Sequence, residues 1–117
     1  MKELRIQKAS QAYQHELSHL LYFEIDNPHL TGISITKVLF TPDIKLAKIY
    51  FLCREGRDRE PEIIRAFVRS KGFLRKELAQ RVNLKYAPDL KFFYDDTAEV
   101  KESIDNLFKQ IESERHG

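Results

Sequence analysis

The 117-residue sequence predicts one α+β domain in which a three-stranded mixed sheet is packed by helices. Three observations carry that expectation. Apolar residues recur at spacings of three and four near the start, middle and end of the chain, the mark of amphipathic helices. Three shorter runs, rich in β-branched and aromatic residues, alternate instead, as half-buried strands do. The length suits a single domain, and a chain of this size can bury roughly two-thirds of its unfolded surface without disulfide or metal staples.

The elements follow in order. From Leu4 to about Glu24, the residues Ile6, Ala9, Tyr13, Leu17, Leu20 and Leu21 line one face of a helix. Asn27-Pro28 stops it, because proline disfavours helical geometry in the residue before it. Gly32 opens a β-rich run, Ile33 to Phe40, whose alternation changes phase: Ile33 and Ile35 share one face, Val38 and Phe40 the other. A bulge near Lys37 reconciles the two halves. Thr41-Pro42-Asp43 reads as a turn, and a second strand carries Ala47, Ile49, Phe51 and Cys53 on its apolar face.

Arg54 to Glu60 is a charged loop. Pro61 then sits in the first turn of a helix, where its missing N–H is no loss. Ile63, Ile64, Phe67 and Val68 form the buried stripe of that helix, and beyond Gly72 a further helix buries Leu74, Leu78 and Val82. Run unbroken at about 100° per residue, the helix would turn Lys71 into the apolar stripe, where an unpaired charge seldom sits. A kink at Ser70-Lys71-Gly72 is therefore expected. Ala87-Pro88-Asp89 connects to a third strand with Leu90, Phe92 and Tyr94 on one face. Asp96 caps a last helix, with Glu99 at the reciprocal capping position and Val100, Ile104, Leu107, Phe108 and Ile111 as its stripe. The expected order is α-β-β-α-(kink)-α-β-α, one domain over residues 1–117 with no internal repeat.

Composition excludes several classes of protein. No apolar run approaches the ~20 residues needed to cross a bilayer, and Met1-Lys2-Glu3-Leu4 lacks the apolar core of a secretory signal. The single cysteine, Cys53, cannot form an internal disulfide and reads as an inward-facing small hydrophobe. A cytoplasmic protein is expected. The net charge of +2 says little, but its distribution is uneven: residues 57–88 hold nine Lys/Arg against four Asp/Glu, and residues 89–117 hold four against eight. A basic middle third of this kind points to a polyanionic partner, with a solvated helical surface as the alternative.

His15-Glu16-Leu17-Ser18-His19 matches H-E-x-x-H, the pattern of zinc peptidases. The apolar stripe of its helix is centred near Tyr13, Leu17 and Leu20, however, so His15 and His19 face solvent. A catalytic zinc also needs a third ligand and a sheltered cavity. No phosphate-binding glycine loop and no nucleophile elbow occurs. The carboxylates Asp95, Asp96 and Glu99 are explained by a helix start. Phe92, Phe93 and Tyr94 invite comparison with sheets that stack bases, but the element order differs from that of an RNA-recognition motif, and Phe92 and Tyr94 read as core. What remains is the basic helix pair, with Arg65, Arg69, Lys71, Arg75, Lys76, Arg81 and Lys85 around Gly72. A glycine at a helix–helix break lets a nucleic-acid backbone approach closely, and cations beside a helix N-terminus favour phosphate. KH domains hold single-stranded RNA at a GXXG junction of this kind.

At this point the residues resemble a known family, ribosome-binding factor A, over nearly the whole chain from about Arg5 to Ile111. Asn27-Pro28-His29-Leu30 is similar to the family's D-P-R-L segment. Thr41-Pro42-Asp43-Ile44 and then Ala47-Lys48-Ile49-Tyr50 resemble its S-x-D-L-x-x-A-x-V-Y hairpin. Ser70-Lys71-Gly72-Phe73-Leu74-Arg75 resembles A-x-G-F-L-R, and Leu84 to Phe92 followed by Asp95-Asp96-Thr97 resembles L-R-Y-x-P-x-L-x-F and D-x-S. The resemblance implies a type-II KH-like fold with a kinked A-x-G junction. It implies a non-enzymatic, cofactor-free factor that binds the small (30S) ribosomal subunit and assists late maturation and processing of 16S rRNA, including in the cold. Assembly GTPases are the further partners expected, no membrane is involved, and the protein is expected to be monomeric. RNA-binding residues are expected at Arg65, Arg69, Lys71, Gly72, Arg75, Lys76, Arg81 and Lys85, with Lys71 and Arg75 foremost and with Arg5 and Lys8 as added charges. Ser70 and His29 depart from the family's alanine and arginine, and His29 lacks arginine's permanent charge. The alternatives are a KH-type module for another RNA or a protein, and the zinc peptidase.

Overall fold

A computed structural model describes residues 2–97 together with 109, 111 and 112. The first helix, α1 (Lys2–His19), buries Ala9, Tyr13 and Leu17. It runs into a π turn, Leu20–Glu24, in which the Ile25 N–H donates to the carbonyl of Leu20, five residues back, at 2.8 Å. Leu20 remains in the core, and Tyr22 and Phe23 emerge into solvent. The helix ends at Glu24, with Ile25 already extended, just before the stop predicted at Asn27-Pro28; the Asn27 side chain then accepts the N–H of His29 at 3.0 Å and opens a 3₁₀ turn, Pro28–Leu30.

Strand β1 (Ile33–Phe40) pairs antiparallel with β2 (Leu46–Cys53), from Ile33 opposite Cys53 to Phe40 opposite Ala47. The register shifts between Ile35 and Lys37, leaving Thr36 as the extra residue. This bulge brings Ile35 and Val38 into one core despite the change of phase. Strand β3 (Asp89–Tyr94) pairs with β2 in parallel, from Asp89 beside Leu46 to Tyr94 beside Phe51. The sheet order β1-β2-β3 is thus mixed, as predicted. A parallel pair needs a long crossover, and α2 (Glu60–Arg81) supplies it, preceded by a short 3₁₀ turn, Arg57–Arg59, within the charged loop.

Both helices cover one face of the sheet, α1 against β1 and α2 against β3. Phe51 lies at the centre, edge-on to Phe67 at 5.5 Å and to Tyr94 at 5.6 Å, while Phe67 stacks flat on Phe92 at 4.3 Å. Ala47, Ile49, Cys53 and Leu90 complete the inner face of the strands.

Three local expectations are corrected. Where the sequence predicts two helices meeting at a break, α2 is one helix through Ser70, Lys71 and Gly72. The break was required only if Lys71 were buried without a partner. Its side chain lies at the edge of the buried stripe, 31% exposed, and its Nζ reaches Asp89 Oδ1 at 3.3 Å. Val68 is 57% exposed, and Ala66 fills its place beside Ile63 and Phe67, because at about 100° per residue Val68 falls outside the stripe. Finally, Asp95 rather than Asp96 makes the capping bond after β3: its Oδ1 accepts the Thr97 N–H at 2.9 Å. The remainder of the expected last helix lies for the most part outside the described residues.

Candidate nucleic-acid interface

The unbroken geometry of α2 sorts its basic residues into two sets. At about 100° per residue, Arg65, Arg69 and Lys76 fall within one arc on the side opposite Ile63, Phe67 and Leu74, with Gly72 in the same arc. All four residues are exposed. None of the three cations forms an ion pair with a described residue. Arg65 and Arg69, like Gly72 and Lys76, are four residues apart and therefore neighbours on the surface. A Cβ built on Gly72 would meet nothing within 4 Å. Because α2 is continuous, Gly72 offers no helix N-terminus to an anion, and any phosphate held here is held by side chains.

The other three α2-borne cations turn inward or sideways. Lys71 is paired with Asp89 as described. Arg75 donates its Nε to the Pro88 carbonyl at 3.2 Å and an Nη to the Ala87 carbonyl at 3.0 Å. It thereby straps the connection before β3 to the helix. Arg81 grips both Glu24 carboxylate oxygens at 2.6 Å and also approaches Glu16 and Glu77, joining the end of α2 to the α1 side. That bidentate contact holds the Glu24 carboxyl at about 2, with His19 adding a smaller contribution. Lys85 stands apart on the loop after α2, exposed, with its Nζ 5.5 Å from the centre of the Tyr86 ring. Of the eight residues expected from sequence, Arg65, Arg69, Gly72 and Lys76 come together on one outward surface. Lys71, Arg75 and Arg81 hold the fold together.

A structural residue went unread in the sequence. Arg59, within the charged loop, donates to the carbonyls of Thr31 at 2.9 Å and His29 at 3.1 Å, and its guanidinium pairs with Glu55 and Glu62, each at 2.9 Å. It ties the 3₁₀ turn at Pro28 to the start of α2. Glu55 is held at about 2 by the Cys53 thiol and by Arg59. The available signal was the i, i+3 and i, i+4 spacing of carboxylates around Arg59, which is also that of ordinary surface pairs.

The H-E-x-x-H residues take the orientation read from the helix. His15 and His19 are exposed, and His19 Nδ1 lies 3.1 Å from Glu24. Among the described residues no three His, Cys, Asp or Glu side chains are grouped so as to hold a metal. A groove of about 930 Å³ opens between the end of α1 and β1, lined by His15, His19, Tyr22, Phe23, Gly32 and Arg54 among others. None of the eight expected RNA-binding residues lines it. No helix among the described residues is long and apolar enough to cross a membrane.

The family model of ribosome-binding factor A matches residues 5–108. Ribosome-binding factor A of Solibacter usitatus is 34% identical over 110 residues, covering 94% of this chain and 89% of that protein. The Geobacter sulfurreducens protein of the same name is 34% identical over 111 residues, covering 95% and 94%. Among solved structures, the crystal structure of ribosome-binding factor A from Thermus thermophilus superposes with a TM-score of 0.60 at 23% identity, over 80% of this chain and 96% of that one. A homology model of T. thermophilus ribosome binding factor A, as fitted into the cryo-EM map of a complex with 30S, gives a TM-score of 0.56 at 20% identity, over 77% and 90%. At 23% and 20% identity these two structures speak to the fold, while the family model and the relatives at 34% speak to descent: the chain belongs to the ribosome-binding factor A family.

Proposed function

We propose that this protein binds the small (30S) ribosomal subunit through the outward face of α2 and assists late maturation of 16S rRNA, including during growth in the cold. A homology model of the T. thermophilus family member has been fitted into the cryo-EM map of its complex with 30S, which supports the same partner here. The reading is of a monomeric binding protein in the cytoplasm, acting alongside assembly GTPases and without a catalytic step.

The observation that carries it is Gly72. A glycine inside a helix costs about 0.5–1 kcal/mol relative to alanine, and Gly72 has open space where a Cβ would stand. Folding gains nothing from glycine at this position. An approaching RNA backbone does, because the bare helix surface lets phosphates settle between Arg65, Arg69 and Lys76.

Co-sedimentation with purified small subunits across a salt series tests the proposal. Three phosphate contacts should give a slope of roughly −2 to −3 in log K against log salt. The triple variant Arg65→Glu, Arg69→Glu, Lys76→Glu should stay in the supernatant while melting like the wild type. If the triple variant pellets with subunits as the wild type does, this face is the wrong one.

A further inference from the structure

The outer face of the sheet, turned away from both helices, is a second basic surface with aromatic rings set into it. Strand pairing lays its side chains in rows. One row runs Lys37, Tyr50, Phe93, and the next runs Leu39, Lys48, Lys91. In the first row, Tyr50 and Phe93 stack with centroids 5.3 Å apart and planes inclined by 27°. Lys37 Nζ stands 4.6 Å from the Tyr50 centroid on the neighbouring strand. Phe93 is 37% exposed and sits on an edge strand, so among the described residues the stack ends at its ring. Lys48 and Lys91 form no ion pair with a described residue.

Among the described residues, the carboxylates at the two ends of β3 that border this face are already engaged. Asp95 is 5% exposed and accepts the Thr36 hydroxyl and the Thr97 N–H. Asp89, at the other end of β3, holds Lys71 and the N–H of Leu90. Among the described residues, what the face offers a partner is therefore the ammonium groups of Lys48 and Lys91, that of Lys37 over the Tyr50 ring and near Asp95, and a pair of stacked rings.

We infer that this face is a second RNA-binding surface, one that takes an unpaired, single-stranded segment. A base continues the stack on Phe93 and Tyr50, and the flanking phosphates lie against Lys37, Lys48 and Lys91. The cations suit any polyanion, but the rings narrow the choice. A duplex hides the faces of its bases, whereas an unpaired strand presents them to aromatic side chains with little regard to sequence. The inference takes RNA as the partner class from the preceding section, yet it does not use α2.

The test is fluorescence anisotropy with labelled dodecamers of adenosine and of uridine, and with a duplex RNA of the same length, using the full chain. The single strands should bind more tightly than the duplex. Phe93→Leu combined with Tyr50→Leu keeps an apolar face and should weaken single-strand binding by about 5- to 100-fold, the usual contribution of one stacked base. Lys48→Gln with Lys91→Gln, which leaves the rings in place, should flatten the salt dependence by about two phosphate contacts. The α2 triple reversal should retain much of its single-strand binding while losing the subunit, so that failure of one surface is told apart from failure of the other. Equal binding of duplex and single strand, no detectable binding of either oligomer, or wild-type affinity in both the ring and the lysine variants would each overturn the inference.

Discussion

Helix α2 carries two sets of cations, and chemically they are the same residues. Arg65, Arg69 and Lys76 project from the helix into solvent, while Lys71, Arg75 and Arg81 reach a carboxylate or a carbonyl of the protein itself. The difference lies in angle around the helix and in what the adjoining segment presents. Lys71 and Arg75 sit on the flank facing the entry to β3, where Ala87, Pro88 and Asp89 supply acceptors. Arg81 sits at the end, within reach of Glu24. A basic helix is thus no uniform RNA surface: the charges that find a partner at home build the fold, and those left over are available to a polyanion.

The largest expected effect breaks the outward set alone. On the proposed interface, reversing Arg65, Arg69 and Lys76 would exchange three attractive phosphate contacts for three repulsive ones, and subunit affinity should fall by at least about 100-fold. Exposed substitutions of this kind should alter folding stability by no more than about 1 kcal/mol. Sedimentation and a thermal melt on the same sample measure both quantities.

The inward set should respond the other way. Arg75→Ala removes two charge-assisted bonds and leaves the Ala87 and Pro88 carbonyls without that partner, which should cost about 2 kcal/mol. The melting temperature should drop by roughly 8–12 °C, while subunit affinity of the folded protein stays close to that of the wild type. An unchanged melt with lost binding would move Arg75 into the outward set.

Acid sharpens the contrast further. Glu24 is depressed from 4.5 to about 2 by the bond from Arg81, and Glu55 is depressed to about 2 by Cys53 and then Arg59. A carboxylate lowered in the folded state contributes stability that is present above its unfolded value and is lost as pH falls through its folded value. The gap in melting temperature between wild type and Glu24→Gln should therefore be full at neutral pH, narrow below about 4.5, and close near 2. A gap that persists at the acid end would show that Glu24 acts through packing rather than charge.

These contrasts also mark how far the sequence could be read. The sheet was legible because alternation is a local property. Ala47, Ile49, Phe51 and Cys53 on β2, and Leu90, Phe92 and Tyr94 on β3, face inward as their period requires, and even the bulge at Thr36 was announced by a change of phase. The helix pair was misread at one point, Lys71, because its partner Asp89 lies far along the chain and periodicity carries no information on tertiary ion pairs. The candidate site was legible in part as a surface, since helical angle alone groups Arg65, Arg69 and Lys76 away from the apolar stripe, but the acceptors that engage Arg75 and Arg81 lie on distant segments and were not legible. The stacked Tyr50 and Phe93 were hidden for the same reason. Of the two, Phe93 alone invited comparison with base-stacking sheets, but only the parallel register brings the Tyr50 ring against it.

The smallest effect bears directly on what separates the two sets. Gly72 lies among the outward cations, in a helix that runs unbroken through it. If its purpose were structural, replacement would destabilise the fold. The geometry predicts the opposite: alanine at this position meets open space and restricts the unfolded chain, so Gly72→Ala should raise stability by about 0.5–1 kcal/mol. That gain corresponds to a few degrees in the melt. Subunit affinity should nevertheless fall, by a few-fold for alanine and further for Gly72→Leu, as the added atoms hold the RNA backbone away from Arg69 and Lys76. The salt slope should shrink along the same series as phosphate contacts are lost. A series that gains stability and loses binding assigns Gly72 to the interface. If stability rises and binding is untouched even with leucine, the RNA does not approach this part of the helix, and Arg65, Arg69 and Lys76 are a solvated face like any other.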